Sequence, residues 1–298
     1  MPAWDIMDPR SYPDEVQGAF YKGFPVGSII TSRGCPYECT FCANGILMGR
    51  TLRFRDIEKV IDEIEHLIDN YHVEEIHILD DNFTINKKRA LNFCQRMKER
   101  NIKTNIAFPN GVRLDRLDEE ILLALREIGT YSITVGVESG SQGILDHMKK
   151  ALTLDLIKEK IDLVKKLGFN VNAFFIIGYP AETKKDIINT IKFAKELPID
   201  IANFSCFLPL PGTEITQELL NSGRLKKINY AELFYSKVPF SPDGITKREL
   251  KTFQRKAFLS FYLRLHILLG LILRLKSFRH FKSILRRARD YIFSKEKS

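Results

Sequence analysis

The sequence predicts an α/β protein: a partial (β/α)6 barrel of the TIM type, with an N-terminal strap and a C-terminal helical region. Three observations predict it. Short β-branched, apolar runs alternate with helix-length amphipathic stretches six times in succession, which implies a parallel sheet with right-handed crossovers. Polar and glycine-rich segments follow the C-terminal ends of those runs, the side on which α/β barrels place their chemistry. Three cysteines follow the first run directly. Six units in place of eight leave an open side able to admit a large substrate.

Residues 1–24 carry prolines at 2, 9 and 13 and no hydrophobic period, and read as a strap or linker. The barrel is expected over residues 25–225 and a basic helical region over 226–298. Val26–Thr31 reads as strand one. Residues 56–70 carry apolar side chains at 57, 60, 61, 64, 67 and 68, a helical stripe behind a capping Asp56. Ile76–Leu79 is strand two, 86–100 a helix, Thr104–Phe108 strand three and 118–128 a helix. Ser132–Val137 is strand four, and Thr153–Leu167 is a helix stopped by Gly168. Val171–Ile177 is strand five, followed by a helix to about Leu197. Ile201–Leu208 is strand six.

The chain has 298 residues, 44% of them hydrophobic and 28% charged. That suffices for one large α/β domain with an appendage and excludes a disordered or fibrous chain. No apolar run follows Met1, so secretion is not expected and a reducing cytoplasm is. The net charge of +9 is unevenly spread. From Thr246 to Ser298 fifteen Lys/Arg face three acids, so the tail carries +12 and the body 9 − 12 = −3. The basic balance therefore says nothing about the substrate of the core.

Cys35-Pro36-Tyr37-Glu38-Cys39-Thr40-Phe41-Cys42 sets three cysteines at C-x3-C-x2-C. Three thiolates can hold three irons of a [4Fe–4S] cube and leave the fourth open, whereas an electron-transfer ferredoxin uses a fourth cysteine. The remaining two, Cys94 and Cys206, fall in a helix and a strand. A disulfide framework fits poorly with an odd count of five cysteines, three of them clustered. A zinc site lacks its fourth ligand and a second cysteine pair.

This run resembles the signature of the radical S-adenosylmethionine (SAM) superfamily. The resemblance continues in order: Leu79-Asp80-Asp81-Asn82-Phe83-Thr84 after strand two, Gly136-Val137-Glu138-Ser139-Gly140 after strand four, Phe174 to Thr183 at strand five and Pro209-Leu210-Pro211-Gly212-Thr213 after strand six. It is strongest to the cobalamin-binding-domain branch, which holds methylases and the anaerobic magnesium-protoporphyrin monomethyl ester cyclase. Pro2-Ala3-Trp4-Asp5, Thr31 to Pro36 and Phe261-Tyr262-Leu263-Arg264 carry that narrower match.

The resemblance implies a [4Fe–4S] cluster on Cys35, Cys39 and Cys42 that cleaves SAM reductively. The resulting 5′-deoxyadenosyl radical abstracts hydrogen from an unactivated carbon of a small or lipid-like substrate, for methylation or cyclisation. It implies that Phe41 packs near the adenine and that Asp80, Asp81 and Asn82 meet the SAM amino group. Glu138, with Ser139, is expected at the ribose, since a carboxylate accepts from both hydroxyls. Gly178 and Glu182 fall in the adenine-contacting loop. Members of the branch begin with a Rossmann-like cobalamin domain, and this chain starts at the linker after it. No Asp-x-His precedes any of the six histidines. Cobalamin is thus expected only through a separate chain, and an electron donor such as ferredoxin or flavodoxin is implied. Two rival classes stand beside this reading: a superfamily enzyme without cobalamin that catalyses a rearrangement or oxidative cyclisation, and a non-catalytic iron–sulfur subunit or remnant of a split cobalamin-dependent enzyme.

Other chemistry-bearing residues take plainer readings. His66 and His77 are structural, Cys94 and Cys206 are buried thiols, and Arg33 is either a charge beside the cluster or a solvated loop arginine. Asn110, Arg113, Asn172, Tyr179 and Asn203 are substrate candidates by strand position. Ala257 to Leu275 is apolar but broken by Arg264, His266, Gly270 and Arg274, and a mid-segment arginine is expensive in lipid. Ser277 to Phe293 continues as a basic amphipathic pattern. A helical cap on the barrel is the favoured reading, ahead of contact with an anionic membrane surface. Nucleic acid is last, for want of aromatic platforms beside the charge.

Overall fold

The computed structural model describes residues 1–12, 20–234, 237–275, 281, 282, 284–286 and 289. In chain order the strands are β1 (Val26–Ile29), β2 (Ser32–Arg33), β3 (Arg53–Phe54), β4 (Glu75–Ile78), β5 (Asn105–Val112), β6 (Thr130–Glu138), β7 (Asn170–Ile177) and β8 (Ile201–Cys206). The helices are α1 (Asn44–Leu47), α2 (Ile57–Tyr71), α3 (Lys87–Glu99), α4 (Glu119–Glu127), α5 (Gln142–His147), α6 (Leu154–Lys166), α7 (Lys184–Glu196), α8 (Glu214–Asn221), α9 (Lys247–Tyr262) and α10 (Leu265–Leu273).

Strands β1, β4, β5, β6, β7 and β8 pair in that order as one parallel sheet. The sheet alternates with helices as a partial TIM-like barrel, as the six repeats predict. The helices form where the sequence places them because each combines a cap with an apolar stripe. Asp56 accepts from Lys59 N–H, and α2 buries Val60, Ile61, Ile64 and Leu67. Thr153 caps α6, which buries Ile157, Ile161 and Val164. Thr183 and Asp186 form a reciprocal capping box at α7. Truncating one such core side chain, Ile161→Ala, costs about 2–5 kcal/mol.

Strands β7 and β8 alternate strictly. Val171, Ala173, Phe175, Ile177, Ala202, Phe204 and Cys206 are buried in the main core, and the residues between them are half-buried. The second set places Asn172, Phe174, Asn203 and Ser205 together, and Asn172 reaches Ser132 and Thr134 of β6. One face of the sheet is thus apolar and helix-covered while the other is substantially polar.

β8 is the last strand of the sheet, and α9 lies along its outer edge. Gln254 Nε2 donates to Phe204 O at 2.9 Å. Tyr262 Oη donates to Ala202 O at 2.9 Å and accepts from Ala202 N–H at 3.3 Å. Side chains here substitute for a seventh strand, which blunts an edge that would otherwise template association. Helix α9 therefore packs on the edge of the barrel. The apolar stretch 257–275 is not one helix, however: it breaks after Tyr262, and α9 and α10 meet at 75°. Most of the basic pattern from Ser277 to Phe293 lies outside the described residues.

Candidate active site at the cysteine loop

The three cysteines lie between β2 and α1, beyond the C-terminal end of β1, and none is in a disulfide. The loop is braced from several sides. Gly34 has φ +93°, and a Cβ there would stand 2.3 Å from Thr51 O, so only glycine enters the loop at this point. Cys35 N–H donates to Gly49 O at 3.2 Å. Thr40 N–H donates to Met148 O, Thr40 O accepts from Ile215 N–H, and Thr40 Oγ1 meets Tyr179 Oη at 2.8 Å. The Arg113 guanidinium stacks on the Tyr37 ring, and Tyr37 O accepts from Arg50.

Among the described residues no three His, Cys, Asp or Glu side chains converge tightly enough to hold one metal ion. A cubane needs one thiolate per iron, spread apart, and three free cysteines on one short loop fit it. Backbone N–H groups are already aimed at sulfur: Asn44 N–H toward Cys42 Sγ at 3.5 Å and Tyr37 N–H toward Cys35. Such donors stabilise sulfur-borne charge. In the protein alone, desolvation pushes the Cys35 and Cys42 thiols up, while the positive charges of Arg113 and Lys150, respectively, oppose it.

The strand-end residues divide into those that hold the loop and those that face onward. Asp80, expected at the SAM amino group, is instead turned inward: its oxygens accept from Thr31 N–H at 2.5 Å, Thr31 Oγ1 at 2.6 Å and Ser32 Oγ at 2.5 Å. Asp81 accepts from Gly34 N–H at 3.1 Å. Both acids therefore anchor the strand that leads into the cysteine loop. Asn82 is buried, with Oδ1 near Thr84 and Nδ2 without a protein partner, so of the three it alone presents an unspent donor.

Glu138 ends β6 with φ +65° and is buried against Lys150 at 2.7 Å. Burial alone would depress the Lys150 ammonium, but the Glu138 and Cys39 charges outweigh it and leave its pKa above the ordinary value. Lys150 thus joins the predicted ribose acid to the cysteine loop. Sequence reasoning missed it, because nothing distinguishes it from Lys149, whose ammonium pairs with Glu214 near the surface.

Three other expected residues have partners within the protein. Ser139 is fully buried on Thr190. Gly178 has φ +77°, and the Cβ it lacks would stand 2.3 Å from a Leu250 methyl, so helix packing demands the glycine there. Glu182 closes its own loop by accepting from Gly178 N–H at 2.5 Å and Tyr179 N–H at 3.1 Å. Burial pushes its carboxyl up to about 8, although those two N–H groups oppose the shift. Phe41 is half-buried against the apolar cluster that contains Tyr179, Phe207 and Phe240, with Lys150 Nζ 6.0 Å from its ring centre.

Of the substrate candidates, Arg113 and Tyr179 are committed to the loop, and Asn110 donates to Leu79 O. Asn172 and Asn203 lie on the polar sheet face, and Asn172 Oδ1 has no protein partner. His66 is bonded to Asn70, and His77 is buried on Glu75 at 2.6 Å. Cys94 is buried, with its thiol pushed up to about 12 by desolvation, and Cys206 is in the core. Arg33 is exposed.

A model of the radical SAM superfamily matches residues 29–194, the segment that contains the cysteine loop and the ends of β4, β6 and β7. The chain belongs to the radical SAM superfamily. It is 33% identical over 288 residues to an uncharacterized methyltransferase of Pyrococcus horikoshii, covering 97% of this chain and 60% of that protein. It is 30% identical over 265 residues to the anaerobic magnesium-protoporphyrin IX monomethyl ester cyclase of Cereibacter sphaeroides, covering 88% of this chain and 42% of that protein. The chain thus spans only part of the relatives it matches. Among solved structures it resembles the cobalamin-dependent SAM radical enzyme OxsB, with TM-score 0.64 and 16% identity over 89% of this chain and 46% of that one. Membership implies a [4Fe–4S] cluster and SAM as cofactors.

Proposed function

We propose that this chain is the catalytic core of a radical enzyme that removes hydrogen from an unactivated carbon, with methylation or cyclisation of a small or lipid-like molecule as the outcome. The carrying observation is the loop itself: three free thiols held rigidly by Gly34, Thr40 and Tyr37, in a chain of this superfamily. When bound, the cluster supplies one electron to SAM and yields methionine and a 5′-deoxyadenosyl radical.

The chain's own groups hold and exclude. Asn82 Nδ2 is an unspent donor for a carboxylate or hydroxyl of the cofactor. Glu138, paired with Lys150, is a ribose acceptor. Phe41 offers an apolar face for the adenine and helps keep water from the reacting carbon. A one-electron donor of the ferredoxin or flavodoxin kind reduces the cluster. Relatives named as methyltransferases and as a cyclase support these two outcomes.

The test is anaerobic reconstitution with iron and sulfide, reduction in the presence of SAM, and assay of 5′-deoxyadenosine. Production that disappears in Cys39→Ala is expected. A chain that loads a cluster yet never cleaves SAM, even with a cobalamin-domain partner added, is instead an electron-transfer or scaffold subunit.

A further inference from the structure

Helix α10, Leu265 to Leu273, contains seven leucines and isoleucines in nine residues. A helix this apolar belongs in a core, yet among its residues only Ile267 is buried. Leu265, Leu269, Ile272 and Leu273 are 72, 51, 60 and 86% exposed. Leu265, Leu269 and Ile272 recur at i, i+4 and i+7 and so share one face. Leu263, 66% exposed, and Leu259 continue the apolar surface around the bend, beside Arg255 and Lys256 of α9. Contiguous exposed apolar surface of this kind marks an interaction site.

The charge of the region selects the occupant. The segment from Thr246 to Ser298 carries fifteen cations against three acids, a net +12. A second copy docking here would bring two such segments together, so self-association is opposed by like charge. An anionic bilayer surface complements both the leucine face and the cations. Spanning is disfavoured by geometry. α10 is roughly 13–14 Å long, less than half of a hydrocarbon core of about 30 Å. It meets α9 at 75°, and α9 is committed to the edge of β8. Among the described residues no single helix is long and apolar enough to cross a membrane.

We propose that α10 is an interfacial anchor that lies flat on an anionic membrane surface, with its leucine face in the acyl boundary and the exposed Lys256 of α9 at the headgroups. The enzyme is then peripheral. The proposal stands apart from the radical chemistry, since vesicle binding does not require SAM cleavage.

The experiment is flotation of the full chain with phosphatidylcholine vesicles, with and without phosphatidylglycerol. Binding to the anionic vesicles that weakens with salt is expected. The double variant Leu269→Glu/Ile272→Glu is expected to reduce it on the order of tenfold or more, with thermal unfolding unchanged. Leu265→Ser/Leu273→Ser, at the two most exposed positions, is an independent pair that adds no charge. No flotation, equal flotation on neutral vesicles, or flotation that survives both variants overturns the proposal. So does a wild-type dimer, seen by sedimentation without vesicle binding, that the variants dissociate.

Discussion

The guanidinium carbon of Arg113, just past the end of β5, stands 3.6 Å from the centre of the Tyr37 ring inside the cysteine loop. The same arginine donates to Lys150 O and Asp115, at 2.9 Å each. A residue on the sheet thereby clamps a loop that has little regular structure of its own. The planar stack depends on guanidinium shape, which lysine does not reproduce.

Arg113→Ala is expected to destabilise the loop by about 1–2 kcal/mol and to lower iron retained per chain after anaerobic reconstitution. Arg113→Lys should recover only part of the loss. Unchanged iron content in both variants would show that the stack does not hold the loop.

Lys150 and Glu138 form a buried pair, so removing one partner strands a charge. Lys150→Met is expected to cost about 3–5 kcal/mol, read by chemical denaturation. Adding Glu138→Gln removes the stranded charge and should restore much of that stability without restoring SAM cleavage. A double variant no more stable than Lys150→Met would contradict this account.

Gly178→Ala adds a methyl at φ +77°, directly onto Leu250 of α9. Strain and overlap together are expected to cost on the order of 2–4 kcal/mol. Leu250→Ala in the same chain should remove the overlap but leave the strain, so the two substitutions will be less than additive. Strict additivity measured in the four-member cycle would place Leu250 elsewhere.

Glu182 has its carboxyl raised from 4.5 to about 8 by burial. A raised pKa means that the folded state holds its proton while the unfolded state has released it. Stability is therefore greatest below about 4.5, and this contribution falls as pH rises to about 8. Glu182→Gln keeps an acceptor for Gly178 and Tyr179 but cannot ionise. Its Tm is expected to depend less on pH across that window than that of the wild type. Parallel Tm profiles would sink the idea.

The residues that were readable and those that were not differ in the range of their partners. Asp56 was legible as a cap because a cap bonds the backbone three residues on. The paired segments Ser32–Arg33 and Arg53–Phe54 were not, since a two-residue strand has no period to detect. Helices α5 and α8, of six and eight residues, were missed for the same reason. Strand β5 runs past Pro109 and Gly111, which read locally as a turn, because a register shift there absorbs them.

The sequence by itself determined the six-fold alternation, the parallel sheet and the cysteine triad, since each rests on periodicity or spacing within a short window. Tertiary structure alone decided the work of the polar residues around the triad. It turned Asp80 and Asp81 back onto the chain that enters the loop, paired Glu138 with Lys150, set Arg113 on Tyr37 and made Gly178 a packing site for Leu250. A carboxylate at a strand end has the same composition whether it meets a ligand or a backbone N–H. Which it meets is settled by what other elements bring within about 3 Å, and that distance is not written in the local sequence.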